Sequence, residues 1–293
     1  MTANPVNIVV ATNNRHKFRE INQILHGLPG IELQALTAYT GVPDVREDAS
    51  TFAGNAQKKA LEIARFIALV GHVGFASQST AIDDDDETDF EELSAKRHRS
   101  TSGRQRKVSL TPESMPKVER PRSLELLVMA DDSGLEVDAL GGAPGVISAR
   151  YAGRQGDDAA NNALLLKNLK GVPPEKRKAR FVCEIALACP EGILFTVRGT
   201  VEGTIIDEPR GKGGFGYDPL FMYPPLGRTF GELPAEEKNK ISHRANALAK
   251  FRLELEKLLG EAAVNGDCGS SQWRGGNGAV FGTSTCGRRR WSP

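Results

Sequence analysis

The 293-residue chain has little that would tie it to a membrane, a secretory route or a nucleic-acid surface. It contains no run of about 18 apolar residues, so no membrane-spanning helix is expected. Met1 to Asn7 lacks the basic start and apolar core of a signal peptide, and a cytoplasmic location is the expectation. Lys and Arg (38) nearly cancel Asp and Glu (37), leaving a formal charge of +1. That is too little excess for nonspecific phosphate-backbone binding, and no stable nucleic-acid partner is expected. Cysteine is scarce as well. Cys183, Cys189, Cys268 and Cys286 show no CxxC or Cys/His pairing at zinc spacing. Cys183 and Cys189 fall in one apparent strand, where roughly 3.3 Å per residue puts them about 20 Å apart, beyond the reach of a disulfide. There is no GxxxxGK[ST], which excludes a Walker A phosphate loop.

Two stretches lack the apolar content of a core. Residues 77–123 run through an acidic block (Asp83-Asp84-Asp85-Asp86-Glu87) into a basic, Ser/Pro-rich one (Lys96-Arg97-His98-Arg99, Pro112, Pro116, Pro121). Such a segment buries too little apolar surface to offset chain ordering and reads as a disordered insertion. Its Asp run lacks the spaced ligands, the central Gly and the terminal Glu of a calcium-binding EF-hand loop. Residues 263–293, Gly/Ser-rich with Arg288-Arg289-Arg290 near the end, read as a flexible tail. Residues 1–76 and 124–262 then form one domain.

Within that domain strands and helices alternate. Val6 to Ala11 is a β-branched run, followed by a helix from Lys17 to Leu25 with Phe18, Ile21, Ile24 and Leu25 at helical spacing. A second helix is expected from Thr51, as N-cap, to Ala68, with Phe52, Ala56, Ala60, Ile63 and Ile67 on one side. Leu126 to Ala130 reads as a short buried strand ended by Ser133-Gly134, presenting Asp131 and Asp132 at its C-terminal edge, where α/β sheets bind ligands. Side chains alternate along a strand, so the two aspartates have different jobs. A helix from Asp158 to Leu169 leads to a hairpin, Arg180–Cys189 and Ile193–Val201, turning at Pro190-Glu191-Gly192. A last helix, Ser242 to Leu259, has Ser242 as N-cap. The fold class is α/β.

Three polar clusters bear on function. Thr12-Asn13-Asn14-Arg15-His16-Lys17 links the first strand to the first helix, so backbone N–H groups, a helix N-terminus and Lys17 are placed to converge on an anion; a solvated polar loop is the other reading. The run Gly213-Gly214-Phe215-Gly216-Tyr217-Asp218-Pro219 combines glycines that allow close approach with two aromatics and a carboxylate. Phe215 is either a core residue or a face for a purine to stack on. Glu236-Glu237-Lys238 and Ser242-His243-Arg244 gather donors near a helix start.

Taken together these segments resemble the inosine/xanthosine triphosphate pyrophosphatases. The likeness rests on Thr12 to Lys17, Thr51-Phe52 with Asn55-Ala56 and Lys59-Ala60, Ala130-Asp131-Asp132-Ser133-Gly134-Leu135, and Gly141-Gly142-Ala143-Pro144-Gly145 with Ser148-Ala149-Arg150-Tyr151. It continues through Gly213 to Pro219, Glu237-Lys238 and Ile241-Ser242-His243-Arg244-Ala245, in the family's order, over about residues 6 to 260. Gly54 stands where many relatives carry Glu, and the insertion and tail lie outside the pattern.

The resemblance implies an elongated two-lobed, mixed-sheet fold with a central substrate cleft. It implies Mg2+-dependent hydrolysis of inosine, deoxyinosine and xanthosine triphosphates to monophosphate and pyrophosphate, by a homodimer. By the same match Asp132 accepts a proton from water and holds magnesium together with Glu47, while Ser133 contacts substrate and Asp131 has no assigned role. Lys17, Lys59 and Lys238 supply positive charge. His243 and Arg244, with their backbone N–H groups, are the candidates for reading the 6-oxo group that separates hypoxanthine and xanthine from adenine. Thr12, Asn13, Asn14, Arg15, His16, Phe215, Gly216, Tyr217, Asp218 and Ser242 complete the expected substrate contacts. The competing readings are a nucleotide- or RNA-binding module without turnover, and an interaction scaffold built on the insertion and the tail.

Overall fold

The computed structural model describes residues 5–28, 30–71 and 126–266. The insertion expected over 77–123 lies outside the described residues, as do residues 267–293 of the tail expected over 263–293; residues 263–266 belong instead to the last helix. The elements, in chain order, are β1 (Val6–Val10), α1 (Arg15–Leu25), β2 (Ile31–Ala35), α2 (Phe52–Gly71), β3 (Leu127–Val137), α3 (Asp158–Asn168), β4 (Lys178–Cys189) and β5 (Gly192–Ile205). Short strands β6 (Phe221–Tyr223) and β7 (Arg228–Thr229) follow, then α4 (Ala235–Ile241) and α5 (His243–Gly266). One mixed seven-stranded sheet, ordered β2-β1-β3-β4-β5-β6-β7, organises them. β1 runs parallel to β2 and β3, and every pairing from β3 to β7 is antiparallel.

Both expected helix caps form: the Thr51 hydroxyl accepts from Gly54 N–H at the start of α2, and the Ser242 hydroxyl from Ala245 N–H at the start of α5. The first helix starts two residues before its expected start at Lys17, because the Asn14 side chain caps it by accepting from the Lys17 N–H. The last helix continues to Gly266, past its expected end at Leu259. No helix among the described residues is long and apolar enough to cross a membrane.

Three apolar clusters build two lobes. On one face of the sheet Ile8, Val10, Met129 and Ile185 pack against Ile21 of α1 and Leu248, Phe251 and Leu255 of α5. On the other face Val9, Val128, Ala130 and Ala186 pack against Ala56, Ala60 and Ile63 of α2. The far end of the same long strands carries a separate cluster, Leu135, Val137, Phe181, Val201, Phe221 and Phe230. Between the lobes β3 holds four residues that belong to no cluster: Asp131, Asp132, Ser133 and Gly134.

These four correct the expected strand end. β3 does not stop at Ala130 but runs on to Val137, with Asp131 opposite Ile185, Asp132 opposite Glu184 and Gly134 opposite Val182 of β4. Gly134 is a close-approach residue and not a chain break. A Cβ there would sit 2.5–2.8 Å from Ser148 Oγ, Gly145 O and Phe52 Cε1. What does end near Ala130 is the neighbour on the other edge: the last β1–β3 pair is Val10 with Met129. Beyond it the exposed edge of β3 is satisfied locally. Ser133 N–H donates to the Asp132 carboxylate, Leu135 N–H to Ser148 Oγ and Val137 N–H to Ala143 O. The aspartates therefore stand at a gap where β1 gives way to the N-terminus of α1, a switch point of the kind where open α/β sheets bind ligands.

Candidate active site

Strand alternation sends the two carboxylates to opposite faces. Asp131 shares its face with Met129 and meets α1 and α5. Its Oδ2 lies 3.1 Å from Lys17 Nζ and 3.4 Å from an Arg244 guanidinium nitrogen, and accepts the Ser133 hydroxyl at 3.0 Å. Burial opposes its ionisation, yet Lys17, Arg244 and Lys59 outweigh burial and hold the carboxyl well below the usual range. Asp131 is thus a fixed anion. Its other oxygen, Oδ1, is buried without a hydrogen-bond partner.

Asp132 shares its face with Ala130 and meets α2. Oδ2 accepts from Asn55 Nδ2 at 2.9 Å and Oδ1 from the Ser133 N–H at 3.0 Å. Burial raises this carboxyl most, Lys17 opposes the rise, Glu47 and Asp131 add to it, and the outcome is a pKa pushed up to about 6. One fixed anion and one near-neutral titrating carboxyl side by side is a pattern suited to acid/base work.

Glu47 lies on the loop before α2, with its carboxylate 2.6 Å from Lys59 Nζ and its carbonyl accepting from Arg150 at 3.0 Å. Burial would lower the Lys59 pKa, but Glu47 and the two aspartates raise it, so the ammonium stays charged beside both carboxylates. Among the described residues no group of three His, Cys, Asp or Glu is placed to hold a metal ion.

The loop expected to cradle phosphate splits into separate duties. Thr12 is buried, its hydroxyl accepting from the Asn14 N–H at 3.2 Å. Asn13 and Asn14 are exposed, Arg15 is half-buried, and Lys17 turns to Asp131. His16 turns the other way, its ring stacked on Phe215 at 5.5 Å between centroids and 25° between planes. Lys238 Nζ also lies 4.7 Å from the Phe215 ring centroid.

The glycines around Phe215 serve the protein more than a ligand. A Cβ on Gly214, whose φ is +72°, would overlap the Asp218 carboxylate, which accepts the Phe215 N–H at 2.9 Å and so fixes that aromatic. Gly216 faces open space, and its N–H donates to Asp158 at 2.6 Å. Tyr217 is buried and donates its hydroxyl to Ser148 O at 2.8 Å.

A buried ion network joins these parts. Lys238 bridges Asp218 at 2.7 Å and Glu20 at 2.9 Å. The other Glu20 oxygen binds Arg244, which also reaches Asp131 and Ser133. Burial works against Glu20 ionising, but Arg244 and Lys238 outweigh it, and its pKa falls. Arg244 is 1% exposed, and its two terminal guanidinium nitrogens are held in this network, while its Nε is buried without a hydrogen-bond partner. His243 stacks on Phe181 at 4.8 Å, and burial, Arg244 and Lys238 hold it well below the usual histidine range, so the ring is neutral. Ser242 is fully buried as the cap. Sequence reasoning gave no role to Glu20 or Asn55; the only trace of Glu20 was its place one helical turn after His16.

Residues 8–96 and 76–254 match the Ham1 family. A dITP/XTP pyrophosphatase of Desulforamulus reducens is 41% identical over 251 residues, covering 86% of this chain and 96% of that protein. One from Exiguobacterium sibiricum is 41% identical over 254 residues, covering 87% and 99%. Among solved structures, a HAM1 protein from Coxiella burnetii superposes with a TM-score of 0.60 at 32% identity, covering 86% of this chain and 99% of that one. A nucleoside-triphosphatase (dITP/XTP pyrophosphatase) from Mycobacterium abscessus superposes with a TM-score of 0.52 at 36% identity, covering 84% and 97%. The sequence match spans both lobes and includes the β3 aspartates between them: this chain belongs to the Ham1 family.

Proposed function

We propose that this chain is a magnesium-dependent pyrophosphatase that hydrolyses inosine, deoxyinosine and xanthosine triphosphates to the monophosphate and pyrophosphate. The observation that carries the reading is the split pair at the lobe junction: Asp131 neutralised by Lys17 and Arg244, Asp132 held by Asn55 and the Ser133 N–H and raised by burial and by the charge of Glu47. Phosphoryl chemistry depends on positioning and charge neutralisation, and Lys17 and Lys59 supply fixed positive charge beside the carboxylates. Asp132 takes the proton of the water that attacks phosphorus, as pyrophosphate leaves.

The oxygen donors fit magnesium. Each Asp132 oxygen accepts one hydrogen bond and keeps a lone pair, Glu47 lies close enough to raise the Asp132 pKa, and Asp131 Oδ1 is buried without a partner. Asp132 and Glu47 would hold the ion, and its remaining ligands would be phosphate oxygens and waters. When bound, the ion neutralises developing charge on the phosphates.

Phe215 is the stacking face for the purine. His16 is exposed whereas Lys238 and Arg244 are buried and ion-paired, so His16 is the neighbour that yields to an incoming base. The N-terminus of α5 offers the backbone N–H groups of His243 and Arg244, free of intrahelical partners, to a 6-oxo group. An adenine amino group there would leave buried donors unmatched. Dimerisation and a cytoplasmic location belong to the proposal on the strength of the family likeness.

Product analysis tests the proposal: inosine triphosphate with magnesium is expected to give monophosphate and pyrophosphate in equal amounts. A pH profile tests the base. At subsaturating magnesium the cation-free enzyme governs the profile, and Asp132 must be ionised both to hold the ion and to accept a proton, so kcat/KM there is expected to fall about tenfold per pH unit below a pKa near 6 and to level off above it. A flat profile from pH 5 to 8 would contradict the assignment.

Asp132 is five residues into β3 from Leu127, about 17 Å along the strand. The insertion joins β3 at the other end. Deleting residues 80–120 and rejoining the chain is therefore expected to change kcat by less than about twofold. A large loss of turnover with the circular dichroism spectrum preserved would show that the segment reaches the site.

A further inference from the structure

We infer that Asn55 is a positioning residue that sets the two carboxylates of the site, Asp132 and Glu47, relative to each other. The inference rests on the reading of those two as the cation-binding pair. Asn55 is 1% exposed on the first turn of α2. Its Nδ2 donates to Asp132 Oδ2 at 2.9 Å, while its Oδ1 accepts the Ala49 N–H at 2.9 Å, two residues after Glu47.

The loop carrying Glu47 has no regular structure of its own and is tied down by side chains. Lys59 binds the Glu47 carboxylate and Lys58 the Asp48 carboxylate, each at 2.6 Å, and Arg150 binds the Glu47 carbonyl. Three of these four tethers come from residues 55 to 59 of α2, within about one turn of helix. Of the tethers, Asn55 alone also touches Asp132.

The chemistry of the position is demanding. A carboxamide turned the other way would aim its oxygen at the Asp132 carboxylate and its NH2 at the Ala49 N–H, a mismatch at both ends. Asp lacks the donor, Ser and Thr are too short to span the two groups, and Gln adds a methylene to a filled site. Only Asn satisfies both partners from this Cα. Partners that orient metal-binding carboxylates, without binding metal themselves, are worth about 10–100-fold in metal affinity or activity.

The test uses manganese(II) as the probe, with free ion quantified by electron paramagnetic resonance in the presence of an α,β-methylene analogue of inosine triphosphate. Asn55→Ala and Asn55→Ser are compared with the native chain, alongside kcat, KM and Tm. Both variants are expected to bind manganese about 10–100-fold more weakly, with kcat for inosine triphosphate reduced and KM changed by less than about threefold. Variants that melt earlier yet bind manganese as tightly as the native chain would overturn the inference, since that is the signature of a packing role. Failure of the native chain itself to bind manganese would overturn the cation pair, and the positioning role with it.

Discussion

Asp132→Asn is expected to lower pyrophosphate release from inosine triphosphate by about three orders of magnitude while the protein stays folded. The substitution keeps the size and planar shape of the side chain. It removes the capacity to take a proton from water and the negative charge offered to magnesium. Stability should not fall with activity, because the native carboxyl is already raised by burial and by the charges of Glu47 and Asp131. A neutral amide relieves that repulsion, although one of its two ends now meets a like partner, Asn55 Nδ2 or the Ser133 N–H. A steady-state pyrophosphate assay together with a thermal melt checks both halves: turnover collapses and Tm moves by only a few degrees. Full turnover in the variant would remove Asp132 from the reaction.

The largest loss of stability is expected at Arg244. Its guanidinium is the common partner of Glu20, Asp131 and Ser133 at 1% exposure. Arg244→Met fills much of the volume but strands two buried carboxylates, and breaking a buried pair from one side costs about 3–5 kcal/mol. In a domain of this size that corresponds to a fall in Tm of roughly 10 °C. Lys17 and Lys238 still face Asp131 and Glu20, so the cost should stay within that range. Urea unfolding measures it directly. A variant as stable as the native chain would show that the network contributes to geometry alone.

Much of the scaffold was legible because it follows from local rules. Helix periodicity and capping residues located α1, α2 and α5, and alternation alone placed Asp131 and Asp132 on opposite faces. Features decided by distant neighbours were not legible. Gly134 resembles a strand breaker in sequence, but the space it leaves is filled by Ser148, Gly145 and Phe52, which arrive from elsewhere in the chain. Gly214 looked like room for a ligand and proved to be room for the Asp218 side chain. β2, with the sequence IELQA, is too short and too mixed to signal a strand until β1 lies beside it. Asn55 and Glu20 carry no chemistry of their own, and their importance lies in what they touch across 77 and 224 residues of chain. His16 belongs to a run that reads as a phosphate cradle, yet its ring turns away from Lys17 and stacks on Phe215.

The selectivity of turnover tests the central claim most directly. Inosine, xanthosine, adenosine and guanosine triphosphates would be compared with magnesium, following pyrophosphate and orthophosphate separately. The expected result is monophosphate and pyrophosphate from the first two, with kcat/KM at least about a hundredfold lower for adenosine triphosphate, the scale set by stranding buried donors against the wrong base. Release of orthophosphate, or equal turnover of inosine and adenosine triphosphates, would contradict it.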